Sequence, residues 1–185
     1  VTLDRGETWS LLGKNLPATA VADLEIHEES MDLIVATHGR GLYKLNLRPL
    51  QALAAGTLSL EQDHLFEVPA AKRPWHNSLG GEPDYRTVEK TPITFWLGRA
   101  KPVTLSLRDV SGKELWKMPL VGQKGLNQYR WDLVFSRQTS DYPYFVHYER
   151  FLRAGRYEMV LSDGERELRR PLVVMEGVSP YKVER

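Results

Sequence analysis

The sequence contains no cysteine. That absence excludes disulfides, cysteine-ligated zinc and thiol nucleophiles together. It fits a bacterial protein, cytoplasmic or periplasmic, better than a small secreted eukaryotic domain. A surplus of one charge is also missing, since 25 basic against 24 acidic side chains leave a formal net charge of +1. Nucleic-acid binders concentrate basic residues on one face, so no nucleic-acid partner is expected. No apolar run approaches the roughly 20 residues of a membrane-spanning helix, so no membrane span is expected. The five histidines, His27, His38, His64, His76 and His147, form no H-x-H or H-E-x-x-H pair. No metal site and no cofactor are therefore expected. Phosphate-binding glycine loops, nucleophile elbows and dinucleotide fingerprints are lacking too. What remains is an ordinary globular balance, 42% hydrophobic over 185 residues. That is enough for one large domain, or a small one with an appendage.

The stretch Thr2-Leu3-Asp4-Arg5-Gly6-Glu7-Thr8-Trp9 fits the pattern S/T-x-D-x-G-x-T-W at every specified position. A tight hairpin turn needs a side-chain acceptor for its own N–H groups, and Asp4 supplies one in the manner of an Asx turn. Gly6 tolerates a positive φ. Trp9 opens the following strand and has a large apolar face to lay against a sheet. Together with Thr2 and Thr8 these residues read as a folding motif. Residues 9–12 then read as an outer strand, and 21–27 as a strand with Leu24 and Ile26 on one face. Residues 32–37 form a continuous apolar run suited to an inner strand covered on both faces. His38-Gly39-Arg40-Gly41 is a turn, and 42–45 begins another strand.

The opening motif resembles an Asp box, or BNR repeat, of β-propeller proteins. Residues 32–50, DLIVATHGRGLYKLNLRPL, closely resemble the final blade of bacterial BNR-repeat proteins of the sortilin-like, glycosyl-hydrolase-like family. The resemblance implies an exported protein, periplasmic or secreted, in which a short segment and a carboxy-terminal sandwich follow the propeller. The turn motif would lie at the blade periphery, away from any ligand pocket. Because the chain opens on Val1 inside that motif, this reading places the true amino terminus upstream. One and a half blades cannot bury their own faces, since repeat units need neighbours on both sides. The expected partners are the rest of its own propeller or another copy of the chain.

Residues 48–56 read as a short helix, with Pro49 in the first turn, Leu50 and Leu53 on one face and Gly56 as the stop. Prolines and glycines then collect over 69–91 with polar residues, a linker or long-loop composition. Trp75, His76 and Tyr85 within it could touch a ligand, although loop aromatics more often pack on a neighbouring surface. From Thr91 onward strands alternate with turns. Val103, Leu105 and Leu107 keep a period of two, as do Tyr129, Trp131 and Leu133, and Tyr157, Met159 and Leu161. Asp163-Gly164 marks a tight hairpin. About seven short strands over some ninety residues suggest an immunoglobulin or fibronectin III-like β-sandwich. The spacing is similar to the Ig-like domain of flagellar-hook capping proteins: Gly125 and Asn127 before a strand, Trp131 in the core, Gly155 and Tyr157 opening a later strand. The expected class is mainly β: a partial β-propeller over 1–47, a connector over 48–90 and the sandwich over 91–178.

Chemistry is harder to find. Residues 140–151 form an aromatic-rich insertion in which Tyr142, Tyr144 and Tyr148 are candidate ligand-binding residues, because stacked aromatics beside carboxylates grip sugar rings. The alternative is that they bury their area against a sheet edge. His38 and Arg40 in the blade turn are further candidates, with backbone stabilisation as the commoner role of such residues. Glycoside hydrolysis needs two carboxylates flanking the scissile bond. Asp4 is committed to its turn, and nothing marks Asp23 and Asp32 as a pair. No catalytic residue is assigned. Three functions stay open: a non-catalytic structural or interaction module of a larger propeller protein, part of a glycoside hydrolase whose active site lies in other blades, or a carbohydrate-binding module with a polysaccharide or protein ligand.

Overall fold

Positive-φ residues at the turns lay out the first part of the chain. Met31 (φ +57°) closes one hairpin, where its N–H donates to the His27 carbonyl at 2.8 Å, and Gly39 (φ +77°) turns the next. Between them β1 (Val21–His27), β2 (Asp32–Thr37) and β3 (Gly41–Asn46) form an antiparallel meander in the order β1-β2-β3. A short helix, α1 (Arg48–Ala54), follows with Pro49 in its first turn and with Leu50 and Leu53 buried. The computed structural model describes residues 1–3, 5–7, 9, 16–56, 58–75, 89–135 and 151–178. Two units emerge, Val1–Asp63 and His64–Arg185.

Register decides which side chains share a face in the meander. Leu24 and Ile26 stand opposite Val35 and Leu33, which stand opposite Tyr43 and Leu45, so one face is apolar across all three strands. Burial on it is uneven. Leu33 and Val35 are buried, whereas all seven residues of β1 are exposed. The central strand, expected to be covered on both faces, instead alternates between buried and half-buried residues.

The second unit is a two-sheet sandwich. One sheet runs β4 (His64–Leu65), β6 (Thr91–Leu97), β9 (Gly125–Trp131). The other runs β5 (Ala71–Lys72), β11 (Glu167–Met175), β10 (Gly155–Ser162), β7 (Lys101–Arg108), β8 (Glu114–Gly122). β4 pairs antiparallel with β6, and six residues later β5 pairs parallel with β11. The leading strand is thus divided between the two sheets, and the whole is an immunoglobulin-like sandwich. Its start differs from expectation. The stretch 48–90, read as connector, supplies both leading strands, and Leu65, Val68 and Ala71 belong to the core. Strands of two residues are too short to display a period.

Between the sheets lie Ile93, Phe95 and Leu97 from one side and Val103, Leu105, Leu107, Met159, Leu161 and Leu172 from the other. Trp131 is buried at the centre, stacked on Trp116 with ring centroids 4.8 Å apart, and its Nε1–H donates to the Val134 carbonyl at 3.1 Å. That hydrogen bond lets an indole sit in the core without an unsatisfied donor.

Candidate functional site

At three turns of the sandwich, Asp109, Asp163 and Asn127 bond the backbone. Asp109 accepts hydrogen bonds from the Ser111 N–H (2.9 Å), the Ser111 hydroxyl (2.6 Å) and the Lys113 N–H (3.0 Å). The Ser111 hydroxyl above all holds its carboxyl below the usual carboxylate range. Asp163 caps the β10–β11 hairpin by accepting from the N–H groups of Glu165 and Arg166, and it also pairs with Lys101. The Lys101 ammonium, then those N–H groups, hold its pKa well below normal. Asn127 organises the β8–β9 turn: its Oδ1 accepts from the Gln123 N–H, and its Nδ2 donates to the carbonyls of Gln123 and Gly125. These are Asx-type devices, in which a short polar side chain replaces a backbone partner.

On the outer face of the five-stranded sheet, Arg108 makes a two-point contact with Glu167 at 2.9 and 2.6 Å. Arg169 joins Glu167 at 2.7 Å and Glu158 at 3.5 Å. The Arg108 guanidinium, with Arg169 second, lowers the Glu167 pKa to about 2. An ion pair from β7 to β11 must cross β10. Ser106 and Val160, opposite each other there, are buried although they alternate with the core residues of their strands. Arginine stems commonly shield apolar surface in this way. A carboxylate held ionised this firmly is unsuited to donate a proton near neutral pH.

An open depression of about 420 Å3 lies beside the β7–β8 turn, where Ser111, Gly112, Arg156, Tyr157 and Glu158 are among its lining residues. The Tyr157 hydroxyl donates to the Arg153 carbonyl at 2.9 Å, and burial raises its pKa. A tyrosine near the start of this strand, bonded to backbone a few residues upstream, is the tyrosine corner of immunoglobulin-like sandwiches. Its part is to pin the entry into β10. The sequence alone marks Tyr157 only as a strand opener. The signal was its hydroxyl-bearing ring two residues after Gly155, with a carbonyl one turn back.

The expected site residues fall in separate places. Thr2 Oγ1 accepts the Gly6 N–H at 2.7 Å, and Gly6 has φ +101°, as the turn motif requires. Asp4 and Thr8 lie outside the described residues. Trp9, expected to lie against a blade, has 72% of its surface open. His38 and Arg40 occupy an exposed turn whose backbone is tied down: the His38 N–H donates to the Ala20 carbonyl, and the Thr37 hydroxyl to that of Gly41. The candidate sugar-stacking residues Tyr142, Tyr144 and Tyr148 lie outside the described residues. Those flanking that stretch are joined, with Val134 bridged to Phe151 and the Leu152 N–H donating to the Leu133 carbonyl.

Carboxylate pairing fares no better as chemistry. Asp23 stands opposite Ala36 and Asp32 opposite His27. Four residues of strand separate them, roughly 13 Å, beyond the ~5–9.5 Å that hydrolytic pairs span. Asp32 is moreover bound to Asn46 Nδ2 at 3.0 Å and Lys44 Nζ at 3.1 Å, and the Asn46 contact is the first cause of its lowered pKa. No cluster of three or more metal-ligating side chains occurs among the described residues. Compared with known proteins, the chain matches no protein-family model and no curated sequence.

Proposed function

We propose that this chain is the carboxy-terminal region of a larger exported β-propeller protein of the BNR-repeat kind, and that its sandwich is a non-catalytic structural or interaction module. One observation carries the reading. The meander presents an apolar face whose edge members, Leu24 and Ile26, are 58% and 46% exposed. Repeat units bury such faces only against their neighbours, and a propeller blade is a four-stranded sheet flanked by other blades. Trp9, also open, is consistent with the same lost cover. The sandwich, by contrast, has a filled core, and its carboxylates Asp109, Asp163 and Glu167 serve turns and ion pairs. It is built to hold shape, not to turn over a substrate.

The test uses the complete gene product. Upstream Asp-box repeats and an export signal should appear in the reading frame. Removing residues 64–185 should lower the melting temperature of the complete propeller. An unchanged melting temperature would refute the structural role. Release of reducing sugar from a polysaccharide panel by the 185-residue chain alone would refute the non-catalytic one.

A further inference from the structure

On the outer face of the five-stranded sheet, charge is balanced at one end and unbalanced at the other. Arg108 and Arg169 are matched by Glu167 and Glu158. Further along, Arg156 and Lys72 are exposed, and neither makes a side-chain hydrogen bond or ion pair among the described residues. Both point outward by alternation, since Tyr157 and Ala71 beside them pack on the core. Glu176, which follows β11, is held by the Arg73 guanidinium. Arg156 also lines the depression beside the β7–β8 turn. There Asp109 is committed to its turn and Glu158 to Arg169, which leaves the Arg156 charge unmatched.

An apolar strip separates the two cations. Arg156 stands opposite Val173, and Lys72 opposite Met175. Leu172 and Val174 belong to the core, so Val173 and Met175 face outward, 44% and 39% exposed. We infer that this strip docks an acidic peptide segment of another protein, in which two carboxylates flank an apolar side chain. Arg156 and Lys72 lie two strand spacings apart across the sheet and two residues apart along it, roughly 12 Å between Cα atoms. In an extended segment the side chains at i and i+4 stand about 13 Å apart, with that at i+2 on the same side. A Glu-x-Val-x-Glu sequence therefore sets its valine on Val173 and Met175 while its carboxylates meet Arg156 and Lys72. Arginine receives a carboxylate at two points, which fixes the direction of the segment. A second copy of this face is the wrong occupant, because it carries the same surplus of positive charge. A nucleic acid would find two unmatched cations and leave the apolar strip unused. The inference rests on the reading of the sandwich as an interaction module and is independent of any propeller ahead of it.

Titration of the 185-residue chain with synthetic peptides, followed by amide NMR shifts, tests this. The probes are capped Thr-Glu-Thr-Val-Thr-Glu-Thr and its counterpart with Lys in place of Glu, each to about millimolar concentration, the range in which so small a contact is measured. The Glu peptide should shift the amides of Arg156, Val173 and Met175, and the Lys peptide should not. Arg156→Gln and Lys72→Gln should each weaken binding about two- to fivefold, the scale of one exposed charge pair. Val173→Thr, which keeps both cations, should weaken the Glu peptide and leave tripolyphosphate unaffected. Equal binding of both peptides, shifts confined to another face, or full retention by Arg156→Gln would overturn the inference. Binding of the Glu peptide undiminished in Val173→Thr would also overturn it, since anion attraction alone would then be at work. Failure of every peptide, with the melting temperature of the complete protein still dependent on residues 64–185, refutes this docking site and leaves the structural role intact. Peptide binding without that dependence refutes the structural role instead.

Discussion

Leu133 combines a left-handed backbone (φ +66°) with a wholly buried side chain, so substitution there sets two effects against each other. An L-residue in that region costs about 1–2 kcal/mol, which glycine escapes. Truncating a buried leucine to alanine costs about 2–5 kcal/mol. Leu133→Ala keeps the backbone cost and loses the packing. Leu133→Gly loses the same packing and slightly more, recovers the backbone cost, and adds about 0.5–1 kcal/mol of chain freedom. Both variants should be less stable than the parent. The glycine variant should be the more stable of the two by about 0.5–1 kcal/mol, the reverse of the usual order in a strand or helix. Urea denaturation would measure it, with near-ultraviolet circular dichroism of the Trp116–Trp131 stack reporting on the sandwich. An alanine variant as stable as the glycine variant would refute the backbone cost. A glycine variant matching the parent would refute the packing contribution.

Three further outcomes follow from the turns and the outer face. Tyr157→Phe removes the hydrogen bond to the Arg153 carbonyl and should cost about 1 kcal/mol, a drop in melting temperature of about 3–6 °C for a unit of this size; an unchanged melting temperature would remove the corner from the account. Asn127→Ala deletes all three bonds of the β8–β9 turn and should cost about 1–3 kcal/mol by chemical denaturation, while Asn127→Asp, which keeps only the acceptor, should fall between. Glu167 is depressed from 4.5 to about 2 in the folded chain, so its contribution is present above pH 4.5 and lost as the pH falls towards 2. The stability gap between the parent and Glu167→Gln should therefore narrow over that window and also shrink in 1 M salt, as expected of an exposed network; a gap independent of pH would show that the Arg108–Glu167 contact acts through packing alone.

Much of the sandwich could be read from local pattern. Leu105 and Leu107, or Met159 and Leu161, announce their face by alternation, and Asp163-Gly164 announces a hairpin because the bonds Asp163 accepts from the Glu165 and Arg166 N–H groups reach only two and three residues along the chain. Trp131 was readable as a core residue from its place between two polar neighbours. The candidate ligand residues were not resolvable in this way. His38 and Arg40 sit in a turn held by the His38 N–H and the Gly41 carbonyl, and no spacing rule distinguishes that case from a binding turn.

By itself, then, the order of residues determined the mainly β class, the turns and the inward-facing sets, since all of these arise from interactions between near neighbours. Tertiary structure alone decided that His64–Leu65 and Ala71–Lys72 are strands, because their pairing partners lie about thirty and a hundred positions away. It also decided that Leu133 takes a left-handed backbone, in a corner where its carbonyl meets the Leu152 N–H across the intervening stretch. Two-residue strands and strained corners carry no periodicity of their own. They exist only once distant segments have closed on each other, and burial then outweighs the local preference.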